Sequence, residues 1–297
     1  MTIGYICDIG GPSLLGPVIE RFGMVPVFDS NGAEEDGLDA VFVEWAYRKA
    51  VSWTDAEGIP VIVRCHSYEV FQPELYATDW SPISAFVFVA QHVLDYATAH
   101  GFSHPNTHVI PCGIDTDRYT PPPDKQYGKV IGFVGSLNHK KGPMLLAQVI
   151  KAVTDYDPEF EFRLCGREGD PRFVAYFWHM LEQWGIRDNV SNLGWLDDMR
   201  PFYHGCDYIL STSPWEGTAQ CIGEGIASGC IPLVHAWPGA REQYPAAFVW
   251  SEVWELFDRL AVGAALTVHH PRAYLPTQSA SLDALGAVIE HAIKERA

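Results

Sequence analysis

Positive charge is scarce in this chain: 20 Lys and Arg stand against 37 Asp and Glu, a formal net charge of −17 over 297 residues. Such a balance disfavours nucleic acid or an anionic membrane as a partner, because both are held through basic surface. An anionic ligand must then be held locally, by placed Lys or Arg side chains and backbone amides. Paired cysteines are missing too. The seven stand singly at 7, 65, 112, 165, 206, 221 and 230, with no C-x-x-C pair, which argues against a disulfide framework and a zinc site. No apolar run reaches the ~18 residues needed to span a bilayer. The N-terminus reads as a buried strand with no basic flank or small-residue cleavage site, so a reduced, cytoplasmic home is expected. Internal repeats and low-complexity tracts are not found.

What is present is apolar material in a regular rhythm. With 47% hydrophobic and 13% aromatic residues a core is easily built, and at roughly 100 to 200 residues per domain the length suggests two. Ile3 to Ile9, Val25 to Phe28, Asp39 to Trp45, Ile59 to Arg64, Ala85 to Ala90 and Thr107 to Pro111 read as strands, with helices at Ser13 to Phe22 and Val93 to His100. Short apolar strands alternating with helices predict a parallel sheet covered on both faces. The three consecutive prolines of Tyr119-Thr-Pro-Pro-Pro-Asp124 can form neither helix nor central strand, so the domain boundary is placed there. The rhythm then restarts. Strands are expected at Val130 to Val134, Glu161 to Cys165, Val190 to Gly194, Tyr208 to Leu210 and Ile231 to Val234, with helices at Pro143 to Thr154, at Arg172 to Trp184 and from near Asp197. The expected division is a first α/β domain over 1–119 and a second over 125–280, with the amphipathic helix 281–297 available to pack back on the first.

One stretch carries concentrated chemistry: Ser213-Pro-Trp-Glu-Gly-Thr-Ala-Gln-Cys-Ile-Gly-Glu-Gly-Ile-Ala-Ser-Gly229. Thr218 is an acceptable N-cap and Gly229 suits a left-handed C-terminal position, which frames a short helix between them. Its start offers free N–H groups and a partial positive charge, so a phosphate is the natural guest. Gly223 and Gly225 flank Glu224, and each costs roughly 1 kcal/mol relative to alanine. They indicate close approach by another backbone or a ligand; a tightly packed core helix with Glu224 at its wet edge is the competing reading, and periodicity does not separate the two. Open parallel sheets bind ligands beyond the carboxyl ends of their strands. Gly10-Gly11, His66, Gly135 to Gly142, Gly166-Arg167 and Glu216 to Glu224 all fall at such ends.

Three segments in order resemble a known family. The stretch above, with Glu216 and Glu224 separated by seven residues, resembles its signature; Gly135-Ser-Leu-Asn-His-Lys-Lys141-Gly142 resembles its Gly-Arg-Leu-x-x-x-Lys-Gly loop; Val109-Ile-Pro-Cys-Gly-Ile-Asp115-Thr-Asp-Arg-Tyr119 resembles the segment before its interdomain linker. The family is that of the retaining GT-B-fold glycosyltransferases, glycosyltransferase family four. The resemblance implies an α/β fold of two Rossmann-like domains facing across a cleft, and a hexosyltransferase that uses a nucleoside diphosphate sugar without a metal or other cofactor. By resemblance His66, Glu216 and Lys141 are the catalytic residues, with Glu216 on donor sugar hydroxyls, Lys141 on the diphosphate and His66 near the reacting centre. The implied donor-binding set is Gly10, Gly11, Gly135, Ser136, Lys140, Arg167, Leu196, Gly217, Thr218, Ala219, Gln220 and Glu224. Within it the amides of Thr218 to Gln220 receive the distal phosphate, Glu224 holds the ribose hydroxyls, and the loops Gly166-Arg167 and Trp195-Leu196 touch the base.

Ser136 stands where the family carries a phosphate-binding Arg, leaving Lys140 and Arg167 as the compensating cations. The implied partners are a nucleotide-sugar donor and a soluble glycan or small-molecule acceptor, with no nucleic acid and no stable membrane association. A nucleotide-sugar-binding pseudoenzyme and an epimerase or phosphorylase of the same fold are the competing functions. Asp115-Thr-Asp117 has the form of a metal-binding D-x-D motif, but a turn cap before the linker is the preferred reading. Cys221 is preferred as a buried small hydrophobe.

Overall fold

A computed structural model of the chain describes residues 1–7, 15–27, 37–47, 50, 52–53, 58–263 and 271–296. It divides into two units, one formed by Met1–Gly113 with Pro276–Ala297, the other by Ile114–Leu275.

In chain order the first unit holds β1 (Ile3–Cys7), α1 (Gly16–Phe22), β2 (Val25–Pro26), β3 (Ala40–Glu44), β4 (Val61–Cys65), α2 (Glu74–Ala77), β5 (Ala85–Phe88), α3 (Gln91–Ala99) and β6 (Thr107–Val109). The strands form one parallel sheet in the order β2-β1-β3-β4-β5-β6. β3, β4 and β5 are buried along their whole lengths, which is why they read as continuous apolar runs rather than alternating ones. On one face Ile3, Phe42, Ile62 and Val87 pack with Val18 of α1 and with Leu285, Val288 and Ile289 of the C-terminal helix Gln278–Arg296. On the other, Phe86 and Phe88 meet Phe102 edge-on at 5.0 and 5.1 Å between ring centroids, a preferred aromatic geometry.

The second unit holds β7 (Val130–Val134), α4 (Pro143–Tyr156), β8 (Glu161–Cys165), α5 (Pro171–Gln183), β9 (Val190–Asn192), α6 (Arg200–His204), β10 (Tyr208–Ser211), α7 (Gln220–Ala227), β11 (Ile231–His235), α8 (Ala240–Gln243), β12 (Val249–Trp250) and α9 (Glu255–Val262). Its sheet is again all parallel, ordered β12-β11-β10-β7-β8-β9. Successive residues alternate between two buried clusters, as the pleat requires. Ile131, Phe133 and Leu210 join Leu146, Ile150 and Phe177 on one face. Ile209 and Val234 join Phe202, Tyr203, Ile222 and Ile226 on the other. The strand order reverses between β7 and β10 here, and between β1 and β3 in the first unit. Ligands of such sheets bind beyond the strand ends at these reversals.

Three details depart from the sequence expectation. The division falls between Gly113 and Ile114, ahead of the proline run. Ile114 and Tyr119 are buried in the second unit's core, and a Cβ on Gly229 would lie 2.8 Å from Pro121. Three prolines fix backbone shape and remove donors, but they do not prevent packing; the run is a strap along the second unit. The chain rejoins the first unit at Pro276, before the expected 281. Finally, α7 begins at Gln220 with Ala219 at its N-cap and no side-chain cap, so Thr218 does not cap it.

Candidate active site

The site residues of the second unit gather at the reversal between β7 and β10. After β7, Asn138 accepts a bond from the Lys140 N–H and starts a single 3-10 turn, His139–Lys141, that Gly142 ends at φ +60°. This left-handed conformation favours glycine. Space demands it as well, since a Cβ there would lie 2.2 Å from the Thr212 carbonyl oxygen. The Thr212 hydroxyl donates to the Lys141 carbonyl at 2.7 Å, tying the β7 loop to the end of β10. With its backbone so held, Lys141 extends Nζ to within 2.5 Å of Glu216 Oε1. Ser213 Oγ donates to the same oxygen at 2.7 Å. Burial works against the Lys141 charge, but the Glu216 carboxylate outweighs it and holds the ammonium above the ordinary lysine value.

Glu224 sits in the second turn of α7, half-buried. Its Oε2 accepts from the Tyr203 hydroxyl at 2.8 Å. The two flanking glycines have a packing explanation. A Cβ on Gly223 would lie 2.4 Å from Ile114 Cδ1, and one on Gly225 would lie 3.0 Å from Ile209. The helix is therefore drawn close to β10 and to the strap by side-chain contacts, the competing reading of the two held open by the sequence.

The loops after β8 and β9 come together. Gly166 N–H donates to the Gly194 carbonyl at 2.9 Å, and the Arg167 guanidinium lies 4.6 Å from the Trp195 ring centroid. Trp195 is 60% exposed, so this is an aromatic and cationic surface in water. Leu196 packs partly against the core. Lys140 is exposed. Asp115 Oδ1 accepts from the Arg118 N–H at 2.9 Å and the Asp117 N–H at 3.2 Å, as a turn cap does. Burial raises the Cys221 thiol to about 11, so it is protonated at neutral pH.

In the first unit, His66 follows β4 and is 7% exposed. It belongs to a buried charged network. Arg64 and Glu44 face each other across the β3–β4 register, and Arg64 Nη2 donates to Glu44 Oε2 at 2.7 Å. His66 Nε2 pairs with Glu44 Oε1, and its ring also bonds the Cys112 side chain. Glu69 Oε1 accepts from the His66 N–H at 2.9 Å and the Ala46 N–H at 3.1 Å. Trp45 stacks on the imidazole at 4.0 Å from a φ of +79°, a strained conformation for an aromatic residue and one that gathers at functional sites. Burial opposes every charge here. For Glu44 the neighbouring Arg64 and His66 charges outweigh it and depress the carboxyl; for His66 the Glu44 carboxylate outweighs it and raises the imidazole. The histidine expected at a strand end is an ion-paired imidazolium, its polar partners already inside the protein.

Of the residues singled out from the sequence, Gly135, Ser136, Lys140, Lys141, Arg167, Leu196, Glu216, Gly217, Thr218, Ala219 and Gln220 lie in loops or a helix start after second-unit strands, Glu224 lies one turn further into α7, and His66 follows β4 in the first unit. Gly10 and Gly11 lie outside the described residues. The sequence reading missed Glu44, Arg64, Trp45, Ser213 and Tyr203. Two of these left a signal: Glu44 and Arg64 are charges inside otherwise apolar strand runs, and a charge in a doubly covered sheet needs a partner.

Residues 128–252 match the family model "Glycosyl transferases group 1". The lipopolysaccharide core biosynthesis mannosyltransferase LpsB of Rhizobium meliloti (strain 1021) is 28% identical over 48% of this chain and 44% of its own length. The D-inositol 3-phosphate glycosyltransferase of Corynebacterium glutamicum (strain R) is 27% identical over 59% of this chain and 43% of its own. The matches thus span less than half the length of these relatives. Among solved structures, a glycosyltransferase from Rickettsia africae ESF-5 superimposes with TM-score 0.77 at 12% identity, over 99% of this chain and 98% of that one. Anabaena Alr3699/HepE in complex with UDP-glucose does so with TM-score 0.75 at 15% identity, over 99% of both. Residues 128–252, the body of the second unit, carry the match to glycosyl transferases group 1, and the two units have the Rossmann-like α/β fold of the GT-B glycosyltransferases.

Proposed function

We propose that this protein is a retaining glycosyltransferase that moves a sugar from a nucleoside diphosphate sugar to a hydroxyl of a soluble glycan or small-molecule acceptor, in the cytoplasm and without a metal. The observation that carries the reading is the Lys141–Glu216 pair at the strand reversal of the family-matched unit, beside a helix start that no side chain caps. An ammonium and the amides of a helix start suit a diphosphate, and a carboxylate suits sugar hydroxyls. HepE was crystallised with UDP-glucose, and LpsB is named a mannosyltransferase.

In the proposed reaction the acceptor oxygen bonds to the anomeric carbon on the face from which the diphosphate leaves, and the departing phosphate oxygen takes the acceptor's proton. Lys141 and the amides of Thr218 to Gln220 stabilise the charge that develops on the leaving group, the type of contribution that dominates many enzymes. Glu216 orients the sugar; the resemblance alone assigns His66 to it. No helix among the described residues is long and apolar enough to cross a membrane, and the charge of −17 favours a neutral or cationic acceptor.

The test is a thermal-shift panel of UDP, GDP and ADP with their common sugars, followed by product analysis with acceptors for the donor that binds. At 100 times its dissociation constant a ligand stabilises by about 2.7 kcal/mol. Nucleoside diphosphate released only with acceptor present, and lost in Glu216→Ala, supports transfer. Epimerised donor, or binding without turnover across a broad acceptor panel, contradicts it.

A further inference from the structure

Glu224 is held by a residue outside its own helix. Tyr203, on α6, is fully buried, and its hydroxyl reaches Glu224 Oε2 at 2.8 Å. Tyr119, on the proline strap, meets Tyr203 edge-on at 5.9 Å, and its hydroxyl lies near enough to the same carboxylate to favour the charged form. The two phenols come from segments 84 positions apart in the chain and converge on one acceptor. Neither hydroxyl has a structural need for a carboxylate, since a backbone carbonyl or water satisfies a buried tyrosine equally well.

We propose that Tyr203 and Tyr119 are positioning residues: their hydroxyls fix the Glu224 carboxylate in one orientation, so that its remaining lone pairs meet the 2′ and 3′ hydroxyls of a donor ribose. The inference rests on the nucleotide-sugar reading above. A carboxylate on a flexible two-carbon stem loses rotamer freedom when it captures a ligand, and two fixed donors remove that freedom beforehand. The donors also set its charge. Burial pushes the Glu224 carboxyl up, while the Tyr203 hydroxyl, the Arg118 charge and the Tyr119 hydroxyl oppose that rise. Asp198 is the other charged group near Tyr119, and it is paired with Arg200. Cys221, on α7 itself, is protonated at neutral pH. Loss of a tyrosine hydroxyl therefore removes support from the charged carboxylate, and a ribose diol needs that charged form as its acceptor.

The experiment measures binding of UDP, GDP and ADP and of their 2′,3′-dideoxy counterparts to the wild type, Tyr203→Phe, Tyr119→Phe and Glu224→Gln, each first shown to be folded by its melting curve. The wild type is expected to prefer the ribose form of its nucleotide over the dideoxy form. Tyr203→Phe loses about 10-fold in affinity for the ribose form, in line with a hydrogen bond to a charged group, with the dideoxy form unchanged. Its binding also weakens on acidification from a higher pH than the wild type's. Equal weakening of both forms, or a preference that persists in both tyrosine variants, overturns the assignment while leaving nucleotide binding intact. Binding of none of the three nucleotides by the folded wild type overturns the donor reading and this inference together. If Tyr203→Phe fails to fold, Tyr119→Phe on the strap carries the same comparison.

Discussion

Lys141 Nζ and Glu216 Oε1 lie 2.5 Å apart across the point where the second sheet reverses its strand order. In the proposed reading each serves a different part of the donor, the ammonium the diphosphate and the carboxylate the sugar, and the two are also paired with each other. Lys141→Met should lower stability by about 1–3 kcal/mol, because Glu216 loses its charged partner while still accepting from the Ser213 hydroxyl. Combined with Glu216→Gln, the losses should fall short of their sum by about 1–2 kcal/mol. Urea unfolding of the four proteins measures this, and strict additivity would show the pair to be incidental. Turnover of Lys141→Met should fall at least ~100-fold.

The Glu44–His66 pair makes a prediction in pH. His66 is raised in the folded protein and releases its proton earlier when unfolded. Its stabilising contribution is therefore complete below the ordinary imidazole range and is lost as pH climbs toward the elevated folded value, by at most about 1.4 kcal/mol per pH unit. Glu44 is depressed, so its contribution is present above the ordinary carboxylate range and lost as pH falls below it. Urea midpoints between pH 6 and 9.5 should decline in the wild type and flatten in Glu44→Gln. Parallel slopes in the two would contradict the pairing.

Gly142→Ala places a methyl group 2.2 Å from the Thr212 oxygen at a φ of +60°. The expected cost is about 1–3 kcal/mol from strain and displacement, accompanied by weaker nucleotide binding as Lys141 shifts. A urea midpoint within ~0.5 kcal/mol of wild type would refute it.

Trp195 offers the opposite case. At 60% exposed, with Arg167 above its ring, Trp195→Ala should leave stability within about 0.5 kcal/mol. Under the proposed base contact, donor affinity should drop roughly 5- to 30-fold, the range of one lost stacking partner. Unchanged affinity would move the base elsewhere.

Much of this was legible in the residues. β7 and β8 appear at their expected limits; β7 is set off by Lys129 before it and Gly135-Ser136 after it. Lys141, Glu216 and Glu224 could be placed at strand ends because the strands themselves were clear. What was not legible depended on partners distant in sequence. Tyr203 reads as an ordinary aromatic in a short helix, and nothing local reveals that its hydroxyl reaches a residue 21 positions on. β12 is two residues long, too short for a period, though its Trp250 is fully buried. The strap misled for a related reason: proline reports backbone shape, whereas Ile114 and Tyr119 decide which core the segment joins.

The first unit takes its residues from both sides of the second. Leu285, Val288, Ile289 and Ala292 complete the cluster that covers Ile3, Phe42 and Ile62. A chain emerging from the ribosome therefore presents the first sheet with one face only partly covered, by α1, until this helix is made, while the contiguous second unit has its residues before then. The core of the first unit is thus complete only after the whole second unit has been synthesised.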